Sequence, residues 1–336
     1  MAEKRIGRRT IEFASPPAVA GFASVVCKKE GEGPLSGTFD IISSDPLFGE
    51  KTWEKAESRM QKTAFMKALE KAALSRTGID VIFGGDLLNQ CIGTGFSVRE
   101  FGVPFMGLYG ACSTMAEGLI SAAMAIDGGF AVNAAAITSS HFCTAERQYR
   151  FPLEYGGQRT PTAQWTATAA GAVILSEKPG RAVLTKAAIG RIVDLEIRDA
   201  NNMGAAMAPA AYDTLSALFE DTGTCPSDYD LIITGDLATV GTRILRDMFK
   251  ADGVDITSHH DDCGMMLFDG TQDVHAGASG CGCSAAVLCG YILRSLEERL
   301  LKKVIFAGTG ALLSPTSMQQ GESIPGICHA VCIEAR

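Results

Sequence analysis

The chain has 336 residues, of which 46% are hydrophobic and 20% charged, so it carries enough apolar material for a large core and is not disordered as a whole. Its 38 acidic residues outnumber 30 basic ones, for a formal net charge of −8. This balance argues against nucleic acid or anionic lipid as the main partner, because both are bound through clustered Lys and Arg.

The basic N-terminal stretch does not lead into a signal peptide, because Glu12, Pro16 and Pro17 interrupt the apolar run that would have to follow. The longest candidate membrane span, residues 119–137, contains Asp127 and predicts a helix, a turn and a strand instead. Eleven cysteines, an odd number scattered along the chain, indicate a reducing compartment without a disulfide framework. We therefore expect a soluble chain without a signal peptide or membrane span.

The first half of the chain, residues 1–178, predicts alternating helices and strands. Short apolar runs rich in β-branched residues predict buried strands, and longer periodic runs predict helices. The predicted elements are a helix over 52–76, a strand over 79–85, a helix over 88–100, a strand over 103–108, a helix over 112–127 and a strand over 131–138. An excursion over 140–168 follows, before the strand AGAVILSE.

The second half, residues 179–336, predicts the same order of elements. The predicted elements are a helix over 208–221, a strand over 229–235, a helix over 238–251, a strand over 254–258, a helix over 283–300 and a strand over 303–308. An extra segment near 259–280 has no counterpart in the first half. Strands that alternate with helices of this length indicate mostly parallel sheets covered on both faces.

Two sequence anchors relate the halves to each other. Residues 80–87, DVIFGGDL, match residues 230–237, DLIITGDL, 150 positions later. Cys112 and Cys283, 171 positions apart, each open a helix of small residues, and the strands that follow keep this spacing. The constant order of elements makes chance unlikely as an explanation. The sequence therefore predicts a duplicated α/β unit in one composite domain with an internal pseudo-twofold repeat.

A duplicated unit with a cysteine at the start of its third helix resembles the thiolase superfamily, and several longer motifs resemble one branch of it, the stage V sporulation protein AD family. These motifs are GACSTMAEG (110–118), SSHFCTAERQYRFPLEYGGQ (139–158), AAMAPAA (205–211), HHDDCG (259–264), GASGCGCSAA (277–286) and GALLSPTSMQQGESIPGI (310–327). The resemblance implies a five-layered αβαβα fold with two mixed, mostly parallel sheets and the Cys112 helix at the centre.

The same resemblance implies a function and a setting. The family binds dipicolinic acid (pyridine-2,6-dicarboxylate) for its uptake into the developing bacterial spore. The implied partners are the ligand and the membrane proteins of the same uptake system, with peripheral association at the inner membrane of the forespore or spore. Relatives with the thiolase fold commonly form homodimers, so a homodimer is expected as well.

Cys112 is the first candidate site residue. A thiol at a helix N-terminus meets the positive end of the helix dipole, which lowers its pKa and favours a nucleophile. A condensing enzyme also needs a base and oxyanion donors, usually two His or a His and an Asn from the second half. Asp236 stands where ketoacyl synthases place one His, and His275 is one residue out of register with the thiolase pattern. We therefore expect no catalytic residue, with acyl transfer through Cys112 as the alternative.

The repeat predicts how an anion binds to an acidic protein. The pseudo-twofold axis brings the start of the Cys112 helix near the start of the Cys283 helix, so that two sets of free backbone N–H groups face one cavity. Cys112 and Cys283 are expected to contact the ligand, as are Ser113 and Ser284, which directly follow them. No cofactor is expected, and Ca²⁺ is expected only as a chelate with the ligand.

Further candidates lie in two polar runs. His141 ends a central strand and Arg147 follows it, and either side chain, when charged, pairs with a carboxylate. The run HHDDC (259–263) has no spacing typical of a zinc site, so no metal site is expected there. The resemblance instead favours entry of His260, Asp261 and Asp262 into the pocket, where a carboxylate shares Ca²⁺ with dipicolinate or accepts a proton from it. A loop aspartate is otherwise a turn or cap residue.

Overall fold

The computed structural model describes residues 3–149 and 159–336. The elements of the first half are β1 (Arg5–Ile6), β2 (Thr10–Glu12), β3 (Ala18–Cys27), α1 (Lys28–Gly31), β4 (Ile41–Ser43), α2 (Trp53–Lys71), β5 (Val81–Gly85), α3 (Ile92–Val98), β6 (Phe105–Gly107), α4 (Thr114–Asp127), β7 (Asn133–Ser140), α5 (Phe142–Tyr149), β8 (Trp165–Thr166) and β9 (Ala169–Ser176).

The main strands and helices of the second half follow the same order, with β10 as the counterpart of β3. Its elements are β10 (Ala182–Ala188), α6 (Met203–Thr222), β11 (Leu231–Thr234), α7 (Ala238–Ala251), β12 (His260–Asp262), α8 (Cys263–Met266), β13 (Ala278–Ser279), α9 (Cys281–Val287), α10 (Leu293–Glu297), β14 (Lys303–Ala311), α11 (Pro315–Gln319) and β15 (Gly326–Ala335). The predicted boundary between residues 178 and 179 lies in the connection from β9 to β10.

The two sheets have the same strand order. The first runs β3-β9-β7-β5-β6 and the second β10-β15-β14-β11-β12. In each, the second strand in this order is antiparallel to both neighbours, and the other strands point the same way. A single residue pair, Val183 with Ala18, joins the sheets. The duplicated unit and the mixed, mostly parallel sheets are therefore confirmed.

Helices separate and cover the sheets to give five layers. The outer face of the first sheet carries α2 and α3, and the outer face of the second carries α6 and α7. Between the sheets lie α4 and α9, and α4 contacts strands of both. This central layer needs small residues, because a Cβ on Gly308 of β14 would lie 2.8 Å from the Cβ of Ala116 in α4. The layers place the start of α4, and Cys112, in the middle of the molecule.

The predicted strand over 254–258 is wrong. This stretch is a turn in which the Asp255 carboxylate accepts the backbone N–H of Thr257 at 2.8 Å, while Ile256 is buried in the outer core. The apolar spacing therefore anchors a loop, and the strand that pairs with β11 is the polar β12. Because β12 is the counterpart of β6, the extra segment of the second half begins only after it.

Two predicted helices are continuous in the sequence pattern but broken in the structure. The helix predicted over 88–100 begins with a 3-10 turn in which Gln90 and Cys91 have φ values of 59° and 51°, and only then continues as α3. The helix predicted over 283–300 contains a π turn, Leu288–Ile292, between α9 and α10. Hydrophobic periodicity marks the buried face of both stretches but does not record these local changes of backbone conformation.

Candidate binding site at Cys112

Cys112 lies at the wall of a small buried cavity. It sits in the 3-10 turn that leads into α4 and is 6% exposed. The cavity measures about 60 Å³, room for a few water molecules. Its lining comprises Leu87, Ala111, Cys112, Ala145, Glu146, Tyr149, Thr166, Ala200, Met203, Ser279, Ala311 and Leu313. Both halves and the 140–168 excursion therefore contribute to one site that is mainly apolar.

Asp236 is the buried partner of Cys112. It follows β11 in the run Thr-Gly-Asp and is fully buried. Its Oδ2 accepts the Ser279 hydroxyl at 3.1 Å and the Gly280 N–H at 2.9 Å. Its Oδ1 accepts the Thr309 hydroxyl at 2.8 Å, and the Cys112 thiol also donates to the carboxylate. Burial raises the pKa of Asp236, and these four donors act against that increase.

The surroundings of Cys112 disfavour its thiolate. Burial raises the pKa of the Cys112 thiol well above its usual range, and the charge of Asp236 raises it further. The dipole of α4 acts in the opposite direction but contributes only about half a unit charge at the helix end. The thiol is therefore protonated at neutral pH, contrary to what its position at a helix start would suggest alone.

The starts of α4 and α9 do meet, but an internal carboxylate lies between them. Asp236 contacts both Cys112, before α4, and Gly280, before α9. A second N–H at the tip of α9, that of Gly282, donates to the Ser140 hydroxyl at 3.2 Å. The expectation of free N–H groups for an external anion is therefore wrong for Gly280 and Gly282, because Asp236 and Ser140 already bind them.

Three predicted ligand contacts next to the cysteines do not line the cavity. The Ser113 hydroxyl donates to the Gly110 carbonyl at 2.7 Å. The Ser284 hydroxyl donates to the Cys281 carbonyl at 3.3 Å, inside α9. Cys283 is fully buried in the central core. The two serine hydroxyls bond to carbonyls three residues earlier in their own helical turns, which is what small polar residues in tightly packed helices commonly do.

His141 and Arg147 also lie outside the cavity lining. The His141 ring is 1% exposed, with Nδ1 accepting the Cys143 N–H at 3.1 Å and Nε2 donating to the Pro46 carbonyl at 2.9 Å. Burial lowers its pKa, so the ring is neutral. Arg147 is half-exposed, pairs with Glu54 and lies over the Trp53 ring at 5.6 Å. Both side chains hold α5 in place instead of facing a ligand.

The HHDDC run holds the start of α7. Asp262 is fully buried and accepts the Thr234 hydroxyl at 2.6 Å and the N–H groups of Leu237 and Ala238 at 2.9 and 2.8 Å. Burial, with a smaller effect from the charge of Asp236, raises the pKa of Asp262 to about 7. These bonds make Asp262 a cap for α7, outside the cavity lining.

His260 and Asp261 flank this cap. The His260 ring donates from Nε2 to Thr234 at 3.1 Å and accepts from Arg246 at Nδ1 at 3.2 Å. Burial and the neighbouring guanidinium lower the pKa of His260 to about 3, so it is neutral. Asp261 is half-buried and accepts the Asp262 N–H at 2.8 Å. In the described part of the chain, no group of three or more His, Cys, Asp or Glu residues could hold a metal ion.

The cavity also contains residues that sequence reasoning did not select. Leu87, Met203 and Leu313 form apolar walls, and Thr166 and Ser279 add hydroxyls. The one available signal was the repeat, because strands β5 and β11 both end in Gly-Asp, and the residues after such strands gather at one end of a sheet. All five histidines of the chain are among the described residues, and the cavity lining includes none of them.

A duplicated α/β fold with a buried cysteine before its central helix defines a protein of the thiolase-fold class. The 3-oxoacyl-[acyl-carrier-protein] synthase III of Aquifex aeolicus VF5 has a similar structure, with a TM-score of 0.56, 14% identity and coverage of 95% of this chain and 99% of that one. The E117Q form of Xanthomonas campestris OleA has a TM-score of 0.63, 15% identity and coverage of 98% and 100%.

Sequence similarity identifies the family within this class. The chain belongs to the stage V sporulation protein AD family, whose family model matches residues 7–334. Stage V sporulation protein AD of Bacillus subtilis (strain 168) is 44% identical over 331 residues, which cover 98% of both chains. The resemblance that the motifs indicated is therefore confirmed over nearly the whole length.

Proposed function

We propose that the chain binds dipicolinic acid as its calcium chelate, for uptake into the developing spore, and does not catalyse a reaction. The observation that carries the proposal is the cavity at Cys112, whose thiol donates to the buried carboxylate of Asp236. A mainly apolar lining with a few polar groups is typical of a small-molecule site. Membership of the stage V sporulation protein AD family supports a role in the spore.

The lack of catalysis is supported by the protonation of Cys112. Acyl transfer begins with attack by a thiolate and needs a base to generate it. Here burial and Asp236 keep the Cys112 pKa high, and a carboxylate that already accepts four hydrogen bonds is a poor base. The thiol then serves as part of the cavity wall.

The charges around the cavity favour a chelate over the free dianion. Asp236 lies beside Cys112, at the wall of the cavity. A free dicarboxylate would approach this acidic group in a medium of low dielectric constant, where like charges repel strongly. The calcium chelate is neutral, and its metal ion attracts carboxylate oxygens. In the proposed complex its flat ring lies between Leu87, Met203 and Leu313 after these walls have opened, with the hydroxyls of Thr166 and Ser279 near its edge.

The proposal requires the cavity to widen. A pyridine dicarboxylate is larger than the roughly 60 Å³ available, so Met203 and Leu313 must move aside when it enters. Methionine is unbranched and readily changes rotamer. Ordering the ligand and opening the walls both cost free energy, and we expect affinities between about 1 mM and 1 µM.

Calorimetry with dipicolinate, alone and with equimolar Ca²⁺, tests the binding proposal. We expect heat that saturates and a tighter complex when Ca²⁺ is present. Leu313→Trp fills the cavity and should abolish the heat, whereas Leu300→Trp, at a position that is 73% exposed, should leave it unchanged. Absence of heat at millimolar chelate, or equal binding by the two variants, would contradict the proposal.

The second candidate function is acyl transfer through Cys112, which the similarity to a 3-oxoacyl-[acyl-carrier-protein] synthase structure suggests. Intact-mass measurement after incubation with acyl-CoA distinguishes it from binding. We expect no mass increase. A covalent acyl adduct on the parent chain that disappears in Cys112→Ala would establish the transferase instead.

We also propose a homodimer formed along β6. This strand ends the first sheet, and Met106 in it is 57% exposed, with Tyr109 nearby at 50%. The equivalent edge in the second sheet, β12, carries His and Asp residues, which protect an edge from pairing. Light scattering should give twice the chain mass of 35.4 kDa. Met106→Lys should halve it, and the matched Asp261→Lys in β12 should not.

The expected location at the inner spore membrane is a proposal of the same kind. None of the helices in the described ranges is long and apolar enough to cross a bilayer. We propose that membrane proteins of the dipicolinate uptake system hold the chain there. Fractionation of developing spores should find the chain with the inner membrane, and removal of those proteins should release it. Retention on the membrane without them would contradict this partnership.

A further inference from the structure

A second concave site runs along α7, in the outer layer of the second half. It measures about 340 Å³ and shares no lining residue with the Cys112 cavity. Three basic side chains line it, those of Arg243, Arg246 and Lys250. Two carboxylates, those of Asp247 and Asp255, also line the groove, so the three cations leave a small excess of positive charge there in a chain with a net charge of −8.

Arg246 is held in place by hydrogen bonds to His260. Its Nε donates to Nδ1 of His260 at 3.2 Å, and one of its terminal nitrogens donates to the His260 carbonyl at 2.6 Å. His260 is itself buried and hydrogen-bonded to Thr234. A guanidinium has five N–H donors in a rigid plane, so these two bonds fix its orientation and leave other donors for a ligand.

Thr242 supplies an observation that points to a missing acceptor. It lines the same groove, is only 3% exposed and has a hydroxyl without a hydrogen-bond partner. A helical threonine usually donates to the carbonyl four residues earlier. Here that residue is Ala238, whose φ of 53° takes it out of the helical conformation. Buried hydroxyls are rarely left unpaired, so this one indicates an absent partner.

We propose that this groove binds an oxyanion of the phosphate class, with Arg246 and Arg243 providing charge and the Thr242 hydroxyl a neutral donor. Tetrahedral oxyanions suit such a set because several oxygens accept bonds at once. Two acidic residues also line the groove. Asp247 pairs loosely with Arg243 at 3.9 Å, and Asp255 accepts the Thr257 N–H at 2.8 Å. The remaining excess of charge is small, so the affinity is roughly millimolar.

A titration with inorganic phosphate at constant ionic strength, followed by ³¹P NMR line broadening, tests this site. We expect saturation in the millimolar range. Arg246→Gln should weaken binding about tenfold and Thr242→Val about threefold, while Thr242→Ser, which keeps the hydroxyl, should bind like the parent. Arg243→Gln, at a position that is 86% exposed, provides a second variant that does not disturb folding.

Matched controls separate this site from general charge effects and from the Cys112 cavity. Arg59→Gln removes an exposed cation from α2 and should leave phosphate binding unchanged. Calcium dipicolinate should not displace phosphate, because the two sites share no residues. The proposal is overturned if phosphate does not saturate, if Arg246→Gln and Thr242→Val bind like the parent, or if the chelate competes.

Discussion

Replacing Asp236 with Asn should make Cys112 more reactive. The substitution removes the negative charge next to the thiol but leaves the burial, which is the larger cause of the raised Cys112 pKa. Two unit charges about 4 Å apart interact by about 4 kcal/mol at an effective dielectric constant near 20. Since Asp236 has a raised pKa and hydrogen-bond donors around it, the effect of its charge on the Cys112 pKa is smaller than this figure, and we expect the substitution to lower that pKa only in part.

The decrease in pKa translates into an alkylation rate. Below the pKa the thiolate fraction rises about tenfold for each unit, while the nucleophilicity of the thiolate falls by about threefold. Iodoacetamide should therefore modify Cys112 about 3–10 times faster in Asp236→Asn than in the parent. The measurement is the pH dependence of this rate, located by peptide mapping in a Cys225→Ser background, because Cys225 is the exposed cysteine.

The pseudo-symmetry of the fold provides the control. Asp86 follows β5 as Asp236 follows β11, is also buried, and its pKa is also raised mainly by burial. Asp86→Asn therefore repeats the chemical change beside the other sheet and should leave the Cys112 profile unchanged. If Asp236→Asn leaves the rate unchanged or slows it, Asp236 does not control the thiol, and the argument against catalysis loses its basis.

Three further predictions concern stability. Burial raises the pKa of Glu30 to about 7. The free energy of unfolding of the parent should therefore fall by about 3 kcal/mol relative to that of Glu30→Gln as pH rises from 4.5 to 7, and by nothing more above pH 7. A difference between the two proteins that stays constant over this range in urea unfolding would contradict this. Asp262→Ala should cost about 1–3 kcal/mol by uncapping α7, and Asp261→Ala less than about 1; equal losses would contradict the cap. Gly308→Ala should cost about 1–3 kcal/mol because its Cβ would press on α4, whereas Gly37→Ala, with open space around it, should be neutral in the same unfolding assay.

The fold could be predicted from the sequence because its signals are periodic. Gly-Asp pairs follow in both halves after the equivalent strands β5 and β11, and both central helices begin with small residues. Both features recur at constant spacing because the tightly packed central layer requires them in each half. The polar strand β12 could not be predicted in this way. Its His and Asp side chains are buried only because Thr234 and the start of α7 bind them, and those partners are distant in the sequence.

The site was predicted in part for the same reason. Cys112 lies in the cavity as expected, because its position follows from the repeat. His141 and Arg147 are the right residue types for an anion site, but the partner of each one, Pro46 and Glu54, lies about 95 residues away in the chain. Composition and spacing report which groups are present, and only the packed chain determines whether a group is already satisfied or faces a cavity.

The shared central layer also constrains how the protein is made. The helix α4 covers much of the inner face of β5 and β7, but β9 is covered mainly by α9, which begins at Cys281, so the first sheet is complete long before this part of its cover exists. A ribosome that adds 5–20 residues per second needs about 5–20 s to synthesise the stretch between Ser176 and Cys281. During that interval part of an apolar sheet face lacks its cover, and a nascent chain in this state is a natural client for a chaperone.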